Sequence, residues 1–245
     1  MNIKKHIPNA ITCGNLFCGC LAIVFAFEGN LVMSAYLVGI AAILDFFDGF
    51  AARILKVSGE MGKQLDSLAD MVTFGVVPAV VMYYLLAQTF WNNMPPGGQL
   101  IEDKYYSILA YSPFLIAIFS ALRLAKFNID TRQTTSFIGV PTPANAMLIC
   151  SFPLIIQHHP QFASWILNPY FIVTVSLLMS YLLVAELPLF ALKFKNFGWP
   201  DNKIRYSFLI ISLVLLILFQ FLAIPFIIFL YIILSVINNL MSAKQ

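Results

Sequence analysis

Four aspartates lie close together in a chain that is otherwise strongly apolar. They are Asp45, Asp48, Asp66 and Asp70, in a protein that has only 11 Asp and Glu among 245 residues. Residues three or four positions apart share one face of an α-helix, so each pair would project its carboxylates from one helix stripe. Clustered carboxylates repel one another unless a cation lies between them, and oxygen ligands favour hard divalent ions over zinc. The spacing therefore predicts a site for Mg²⁺ or Mn²⁺, which Ca²⁺ can also occupy.

Small residues share the stripes of the aspartates. Gly49 and Ala52 follow Asp48 on one stripe, and Gly62 lies one turn before Asp66 on the other. They leave bare helix surface beside the carboxylates, so a bulky group can lie against the backbone and the pattern predicts a binding pocket beside the metal. The alternative is that the aspartates are solvated helix-end groups paired with basic neighbours. That alternative explains a single aspartate more easily than four on consecutive helices.

The elements that carry these aspartates are predicted to be membrane-spanning helices. Hydrophobic residues make up 60% of the chain and charged residues 10%, which indicates an integral membrane protein. We expect an all-α, polytopic fold with about eight transmembrane helices. They fall at about 11–28, 31–52, 65–89, 106–127, 142–157, 168–191, 205–221 and 223–241. A single membrane domain is expected over 1–245, with a catalytic core at about 7–191 and an added C-terminal helical hairpin at about 205–241.

The basic residues predict the orientation. All but one of the 14 Lys and Arg residues fall at one set of alternating span ends, and Lys104 is the exception. By the positive-inside rule, both termini and the aspartate end of the spans face the cytoplasm, and we expect a multi-pass protein of the cell's inner (plasma) membrane. The segment before Ile11 is predicted to be a short interfacial segment. The net charge of +3 follows from topology and from contact with the lipid bilayer, and we expect no nucleic-acid partner.

The aspartate stretch resembles a family signature. It reads Asp45-x-x-Asp48-Gly49-x-x-Ala52-Arg53, eight intervening residues, then Gly62-x-x-x-Asp66-x-x-x-Asp70. This resembles the signature of the CDP-alcohol phosphotransferases. The resemblance implies that an acceptor hydroxyl attacks a phosphate of a CDP-linked donor and expels CMP.

The same resemblance implies a role for each residue of the stretch. Asp45, Asp48 and Asp66 would be metal ligands, and Asp70 would be the catalytic base and also a metal ligand. The CDP group would lie along Gly49, Ala52, Arg53 and Gly62, with Asn9 and Thr12 beside it at the entry to the first span. A carboxylate base is chemically apt because an alcohol is a poor nucleophile at neutral pH.

Two further stretches resemble the bacterial and archaeal phosphatidylserine synthases within that family. They are "IPNAITCGNLFCG" from Ile7, and "ALRLAKFNID" followed by "SFIGVPTPANA". Lys126 stands where arginine is usual, and Val140 where leucine is usual. The resemblance implies transfer of a phosphatidyl group from CDP-diacylglycerol to the hydroxyl of L-serine, giving phosphatidylserine and CMP.

The acceptor residues are predicted at the end of the fourth span and in the loop after it. A serine carboxylate needs a cationic partner, and the guanidinium of Arg123 can bind it with two parallel hydrogen bonds. Lys126, Asn128 and Gly139 are the other candidates. Arg123 and Lys126 are also explained as ordinary positive-inside residues.

Three further alternatives stay open at this level. The acceptor could be glycerol 3-phosphate or inositol phosphate, although a phosphate would favour a denser cationic cluster. A cation transporter also keeps carboxylates in its spans, but it would more naturally hold them near the bilayer midplane. The sequence also leaves a homodimer open.

Overall fold

The computed structural model describes residues 6–57, 59–92, 109–130, 136–190 and 198–242. The described chain is almost entirely helical, which confirms the all-α prediction. Its helices are α1 (His6–Phe27), α2 (Leu31–Ile54), α3 (Glu60–Asp70), α4 (Val77–Asn92), α5 (Phe114–Ile129), α6 (Thr142–His158), α7 (Ala163–Ile166), α8 (Pro169–Val184), α9 (Trp199–Phe219) and α10 (Ala223–Ser242). Helix α1 begins at His6, so the end of the expected interfacial segment forms its first turns, and residues 1–5 lie outside the description.

Four helical stretches are long and apolar enough to cross a membrane. They are His6–Phe27, Leu31–Ile54, Glu60–Thr89 and Asn202–Ile237, and a fifth arises if Pro160–Ile166 and Pro169–Val184, bent by 72°, form one broken span. Helices α5 and α6 lie at two other predicted positions but have only 16 and 17 residues. At about 1.5 Å per residue they are shorter than the hydrocarbon layer. The count of about eight spans and the side of the termini stay predictions.

The last two helices fold back on each other. The rings of Phe208 in α9 and Tyr231 in α10 lie 5.7 Å apart, whereas in one straight helix these residues would be roughly 35 Å apart. The turn is a short 3-10 segment, Gln220–Leu222, and Gln220 has a positive φ of 49°. The stretch Asn202–Ile237 is therefore an antiparallel hairpin of two helices.

Helices α1 and α2 pack closely along their length. Their buried faces carry small residues, among them Ala22 and Ala26 on α1 and Ala35 and Ala41 on α2, and small residues let two helices approach closely in a membrane. This pairing sets the first turns of α1 beside the last turns of α2, where two of the aspartates lie.

A π-helical turn, Met71–Val76, follows α3 directly after Asp70 and leads into α4. Such turns are rare and often occur at functional sites. Within it, Thr73 donates a 3.2 Å hydrogen bond to the Asn15 carbonyl of α1. A Cβ on Gly19 would lie 2.3 Å from the Thr73 hydroxyl, so only glycine allows this approach. The contact fixes Asp70 relative to α1.

A two-stranded antiparallel ribbon is the one departure from helix among the described elements. Strand β1 (Ser136–Ile138) pairs with β2 (Pro188–Phe190). Beside it, the Gly139 N–H donates to the Leu187 carbonyl at 3.0 Å. Tyr231 of the hairpin donates to the Phe190 carbonyl at 2.9 Å. The ribbon thus ties the hairpin to the connection that enters α6.

Candidate active site

Three carboxylates meet between α2 and α3. Asp45, Asp48 and Asp66 each offer one oxygen, and these oxygens lie within 4.8 Å of one another. Hard divalent ions hold oxygen ligands at about 2.0–2.6 Å, so oxygens that share one ion lie roughly 3–5 Å apart. The donor set and its spacing therefore fit Mg²⁺ or Mn²⁺.

Asp70 lies at the inner edge of this group, one turn beyond Asp66. It is buried, and its carboxyl interacts with that of Asp45. Asn15 of α1 donates to Asp70 Oδ1 at 3.3 Å. Asp70 is thus next to the three-carboxylate group without being part of it.

Helix α1 supplies a second hydrogen bond to the carboxylates. The Thr12 hydroxyl lies 2.6 Å from Asp48 Oδ2 and 3.0 Å from the Pro8 carbonyl. The hydroxyl carries a single proton. It donates that proton to Asp48, because the carboxylate oxygen is charged and closer and is therefore the stronger acceptor. Thr12 and Asn15, three positions apart, therefore hold carboxylates of two different helices. Such supporting bonds orient metal ligands and raise metal affinity.

A cavity of about 700 Å³ opens beside the carboxylates. It lies between the start of α1, the end of α2 and the start of α3. Its lining consists of His6, Pro8, Asn9, Thr12, Asp48, Gly49, Ala52, Val57, Gly59, Met61, Gly62, Lys63 and Asp66. Five of the residues predicted to bind the donor, Asn9, Thr12, Gly49, Ala52 and Gly62, are in this wall.

Gly49 and Gly62, two of the three glycines in the wall, have different roles. A Cβ on Gly49 would meet nothing within 4 Å, so this residue leaves space in the cavity. A Cβ on Gly62 would lie 3.2 Å from Asn9 Oδ1, so this residue lets α3 approach α1. Arg53, the sixth donor candidate, is not in the wall, and its Nε donates to the Gly49 carbonyl at 3.0 Å. Its guanidinium is therefore anchored at the cavity edge.

Arg123 is the acceptor candidate that interacts with Asp70 by charge. It is only 8% exposed, its Nη1 lies 3.5 Å from the Thr142 hydroxyl, and its charge acts on Asp70 through space. The guanidinium also lies 5.9 Å from the Phe127 ring centroid. A buried guanidinium without a carboxylate in direct contact is unusual and is suited to bind an anionic group.

The other three acceptor candidates lie elsewhere. Lys126 pairs with Glu186 at 3.1 Å in an exposed ion pair. Asn128 donates to the Ser67 hydroxyl at 2.9 Å, and its carbonyl accepts from Lys63 at 2.7 Å. Gly139, with a φ of 77°, packs so closely on α8 that a Cβ would lie 2.4 Å from the Leu183 carbonyl oxygen. The structure therefore does not gather the four candidates in one place.

Residues 5–177 match the family model described as CDP-alcohol phosphatidyltransferase. The chain belongs to this family. The match runs from α1 into α8 and ends before the C-terminal hairpin. Membership decides against the cation transporter considered above. The family is generally dependent on divalent metals, and the three-carboxylate group provides a place for one.

Named relatives agree with the family assignment. The chain is 35% identical to the CDP-diacylglycerol–serine O-phosphatidyltransferase of Bacillus subtilis over 183 residues, 75% of this chain and 89% of the relative. It is 36% identical to the enzyme of that name from Helicobacter pylori strain J99 over 144 residues, 58% of this chain and 54% of the relative. It is 31% identical to the archaetidylserine synthase of Methanothermobacter thermautotrophicus over 187 residues, which are 73% of this chain and 71% of the relative. The chain thus spans about half the length of the Helicobacter relative.

Several polar residues near this family site had no predicted role. Asn15 holds Asp70, Lys63 brings a positive charge to the cavity wall, and Ser67 connects α3 to Asn128. Asn145 on α6 is fully buried. The role of Asn15 could have been predicted because Asn15 and Thr12 lie on the same stripe of an apolar helix. A polar side chain in a transmembrane helix is a candidate functional residue.

Proposed function

We propose that this chain transfers a phosphatidyl group from CDP-diacylglycerol to the hydroxyl of L-serine, giving phosphatidylserine and CMP. The observation that carries the proposal is the meeting of the Asp45, Asp48 and Asp66 oxygens beside a cavity of about 700 Å³. The family and the names of its relatives supply the substrate class. The protein would work in the inner membrane with this site facing the cytoplasm, where CDP-linked donors are made.

The donor would occupy the cavity with its diphosphate at the carboxylate end. Gly49 and Ala52 leave room for the CDP group against the backbone of α2, and Gly62 lets α3 approach α1 closely enough to close the other side of the cavity. Asn9 and Arg53 are placed to donate hydrogen bonds around it, and Lys63 adds a positive charge to the wall. Thr12 lines the same wall, and its single proton stays on Asp48. The acyl chains would extend from the cavity into the bilayer.

Asp45, Asp48 and Asp66 would hold Mg²⁺ or Mn²⁺, and Asp70, outside this group, would be a ligand only to a second ion. Bound there, the ion would supply positive charge to the diphosphate and to the leaving CMP. In the transfer itself, the serine oxygen forms a bond to the phosphorus of the phosphatidyl group, and the bond from that phosphorus to the CMP oxygen breaks. Asp70 takes the serine hydroxyl proton. The hydrogen bond from Asn15 holds the Asp70 carboxylate in place for this step.

Arg123 would bind the serine carboxylate, since it is buried and its charge acts on Asp70. Asn128 would act indirectly, by holding Ser67 one position from Asp66. Lys126 and Gly139 would shape the loop that enters α6, through the ion pair with Glu186 and the packing on Leu183. Of the four acceptor candidates, only Arg123 thus brings a positive charge that interacts with Asp70. That favours a carboxylate-bearing acceptor over glycerol 3-phosphate or inositol phosphate.

The direct test is a transfer assay on purified protein in detergent or vesicles. CDP-diacylglycerol is supplied with labelled serine, glycerol 3-phosphate or inositol phosphate, in Mg²⁺, in Mn²⁺ and in excess EDTA. The proposal predicts labelled phosphatidylserine with either metal, its loss in EDTA and little product from the other two acceptors. A dominant product from a phosphate-bearing acceptor, or full turnover in EDTA, would contradict it.

A further inference from the structure

Asn145 is a fully buried amide without a hydrogen-bond partner. It lies in the first turn of α6 with an exposed fraction of 0%, and neither its Nδ2 nor its Oδ1 is bonded to any described atom. Buried polar groups are nearly always hydrogen-bonded, because leaving them unpaired costs free energy. An amide with both ends unpaired therefore indicates a bound partner that is not part of the chain.

Asn145 is not isolated. It lies one turn after Thr142 on the same stripe of α6, and the Thr142 hydroxyl is in contact with Arg123. Arg123 Nε is also buried and unpaired among the described atoms. One turn before Arg123 on α5 is Ser120, with an exposed fraction of 0% and an unpaired hydroxyl. Unpaired polar atoms of three side chains thus lie along one stripe of α5 and one stripe of α6, which the contact between Arg123 and Thr142 connects.

These side chains lie on helices that pack around the π-helical turn after Asp70. Ser120 packs on Gly75, because a Cβ there would lie 3.0 Å from the Ser120 Cβ, and Gly75 belongs to the π-helical turn that follows Asp70. The π-helical turn also packs against α6, and the charge of Arg123 acts on Asp70. Asn15 of α1 also bonds to Asp70, through its Nδ2, and leaves its Oδ1 buried and unpaired.

The clustering is what separates this group from incidental unpaired atoms. Nine buried side-chain atoms of the described residues lack a partner, and five belong to Asn15, Ser120, Arg123 and Asn145. The rest are single atoms of Ser34, Ser112, His159 and Ser212. A group of five around the proposed base indicates a polar ligand.

The types of these atoms indicate what kind of ligand it is. Arg123 Nε and Asn145 Nδ2 are donors and suit a carboxylate. Asn15 Oδ1 and Asn145 Oδ1 are acceptors, the Ser120 hydroxyl can accept as well, and together they suit an ammonium group. The assignment of Asn15 is fixed because its nitrogen must face the Asp70 carboxylate, and both ends of Asn145 are free whichever way the amide is turned. A phosphate-bearing alcohol offers no ammonium protons and would leave these acceptors unpaired.

We propose that the structure contains a recognition site for a zwitterionic amino-acid acceptor, formed by Asn15, Ser120, Arg123 and Asn145. Within this site, Asn145 is the residue that selects for the ammonium group of the acceptor. This inference rests on the proposed function, since it names the contacts by which that acceptor is chosen. It places serine beside Asp70, among α1, α5 and α6, with its hydroxyl toward the Asp70 carboxylate.

The test compares the wild-type protein with Asn145→Leu, which keeps the volume and removes both polar atoms. Wild-type transfer to serine is measured first. Asn145→Leu is then expected to raise the serine KM by about 10- to 100-fold, with the CDP-diacylglycerol KM changed less than about twofold and the melting temperature unchanged or higher. The preference for serine over 3-hydroxypropionate, which lacks the ammonium group, should collapse toward one.

A matched control is Ser34→Ala on α2. Ser34 is also buried and unpaired among the described residues, but it lies roughly 16 Å along the helix from Asp45. It should change neither KM nor the preference. If Asn145→Leu does not fold, Ser120→Ala provides the test, with a several-fold rise in serine KM and an unchanged melting temperature.

The two ways of failing are distinct. If wild-type protein makes phosphatidylserine and the variants keep its serine KM and its preference over 3-hydroxypropionate, the inference is overturned and the proposed function stands. If wild-type protein does not use serine at all, the proposed function is overturned and the inference goes with it.

Discussion

The Thr12 hydroxyl on the first helix donates a hydrogen bond of 2.6 Å to the Asp48 carboxylate on the second. Three positions further along α1, Asn15 donates to Asp70. The first helix is therefore part of the catalytic structure, because it fixes the orientation of carboxylates that α2 and α3 supply. A carboxylate that is held in one rotamer loses less freedom when it binds a metal ion.

Replacing Thr12 by valine should weaken metal use without unfolding the protein. Valine has the shape of threonine but cannot donate to Asp48, so we expect a loss of about 10- to 100-fold in metal affinity or activity. The measurement is phosphatidylserine formation as a function of Mg²⁺ and Mn²⁺ concentration. Thr12→Ser restores the donor and should restore most of the activity. An unchanged metal titration for Thr12→Val would show that the bond has no role in metal binding.

Filling the cavity at Gly49 should block the donor. Because nothing lies within 4 Å of a Cβ at Gly49, Gly49→Leu can be accommodated by the fold but occupies the space proposed for CDP. We expect the CDP-diacylglycerol KM to rise about tenfold or more, since overfilling a packed site costs about 1–3 kcal/mol. Gly39→Leu is the control, because Gly39 is on the same helix with the same open surroundings but outside the cavity wall. Equal effects of the two variants would refute a donor site at Gly49.

Removing the Tyr231 hydroxyl should loosen the C-terminal hairpin. This hydroxyl donates to the Phe190 carbonyl of β2, and the Tyr231 ring packs on Phe190 and Phe208. Tyr231→Phe keeps the ring and leaves a buried carbonyl unpaired, so we expect a loss of about 0.5–1.5 kcal/mol in stability, seen as a lower melting temperature. Tyr181→Phe, at a residue 65% exposed, should leave the melting temperature unchanged. A melting temperature for Tyr231→Phe equal to that of wild type would mean that the bond contributes nothing.

The two ends of the chain should lie on the cytoplasmic side. All but one of the Lys and Arg residues fall at alternating span ends, and positively charged loops stay inside. A reporter fused after Gln245 and one inserted in the 92–99 loop should therefore report opposite sides of the membrane. The same side for both would refute the topology with about eight spans.

The central site could be predicted from the sequence because it depends on spacing within single helices. The positions of Asp45, Asp48 and Asp66 on helix stripes are local properties, and their carboxylates do meet. The roles of Asn15 and Asn145 depend on which faces of other helices pack against them. Hydrophobic periodicity cannot predict the packing faces of helices that are apolar on every side.

Local departures from regular helix could not be predicted either. The π-helical turn after Asp70 and the β1–β2 ribbon arise from tertiary contacts, such as that of Thr73 with Asn15. Arg123 and Lys126 looked equivalent as cations at the end of one span. Their three-residue spacing nevertheless placed the first in the interior and the second beside Glu186. Burial separated them, and burial is a property of the packed structure.

The proposed mechanism depends most on Asp70, which acts as the base beside a metal site built by the other three aspartates. The decisive measurement pairs CDP-diacylglycerol binding with phosphatidylserine formation from labelled serine, for Asp70→Asn beside Asp45→Asn and Asp66→Asn. Asparagine is nearly isosteric but cannot take the proton, so Asp70→Asn should bind the donor almost normally and lose about 10²- to 10⁴-fold in turnover. Asp45→Asn and Asp66→Asn should lose metal and donor binding together. Near wild-type turnover by Asp70→Asn would contradict the assignment of the base, and loss of donor binding in that variant would make Asp70 a metal ligand first.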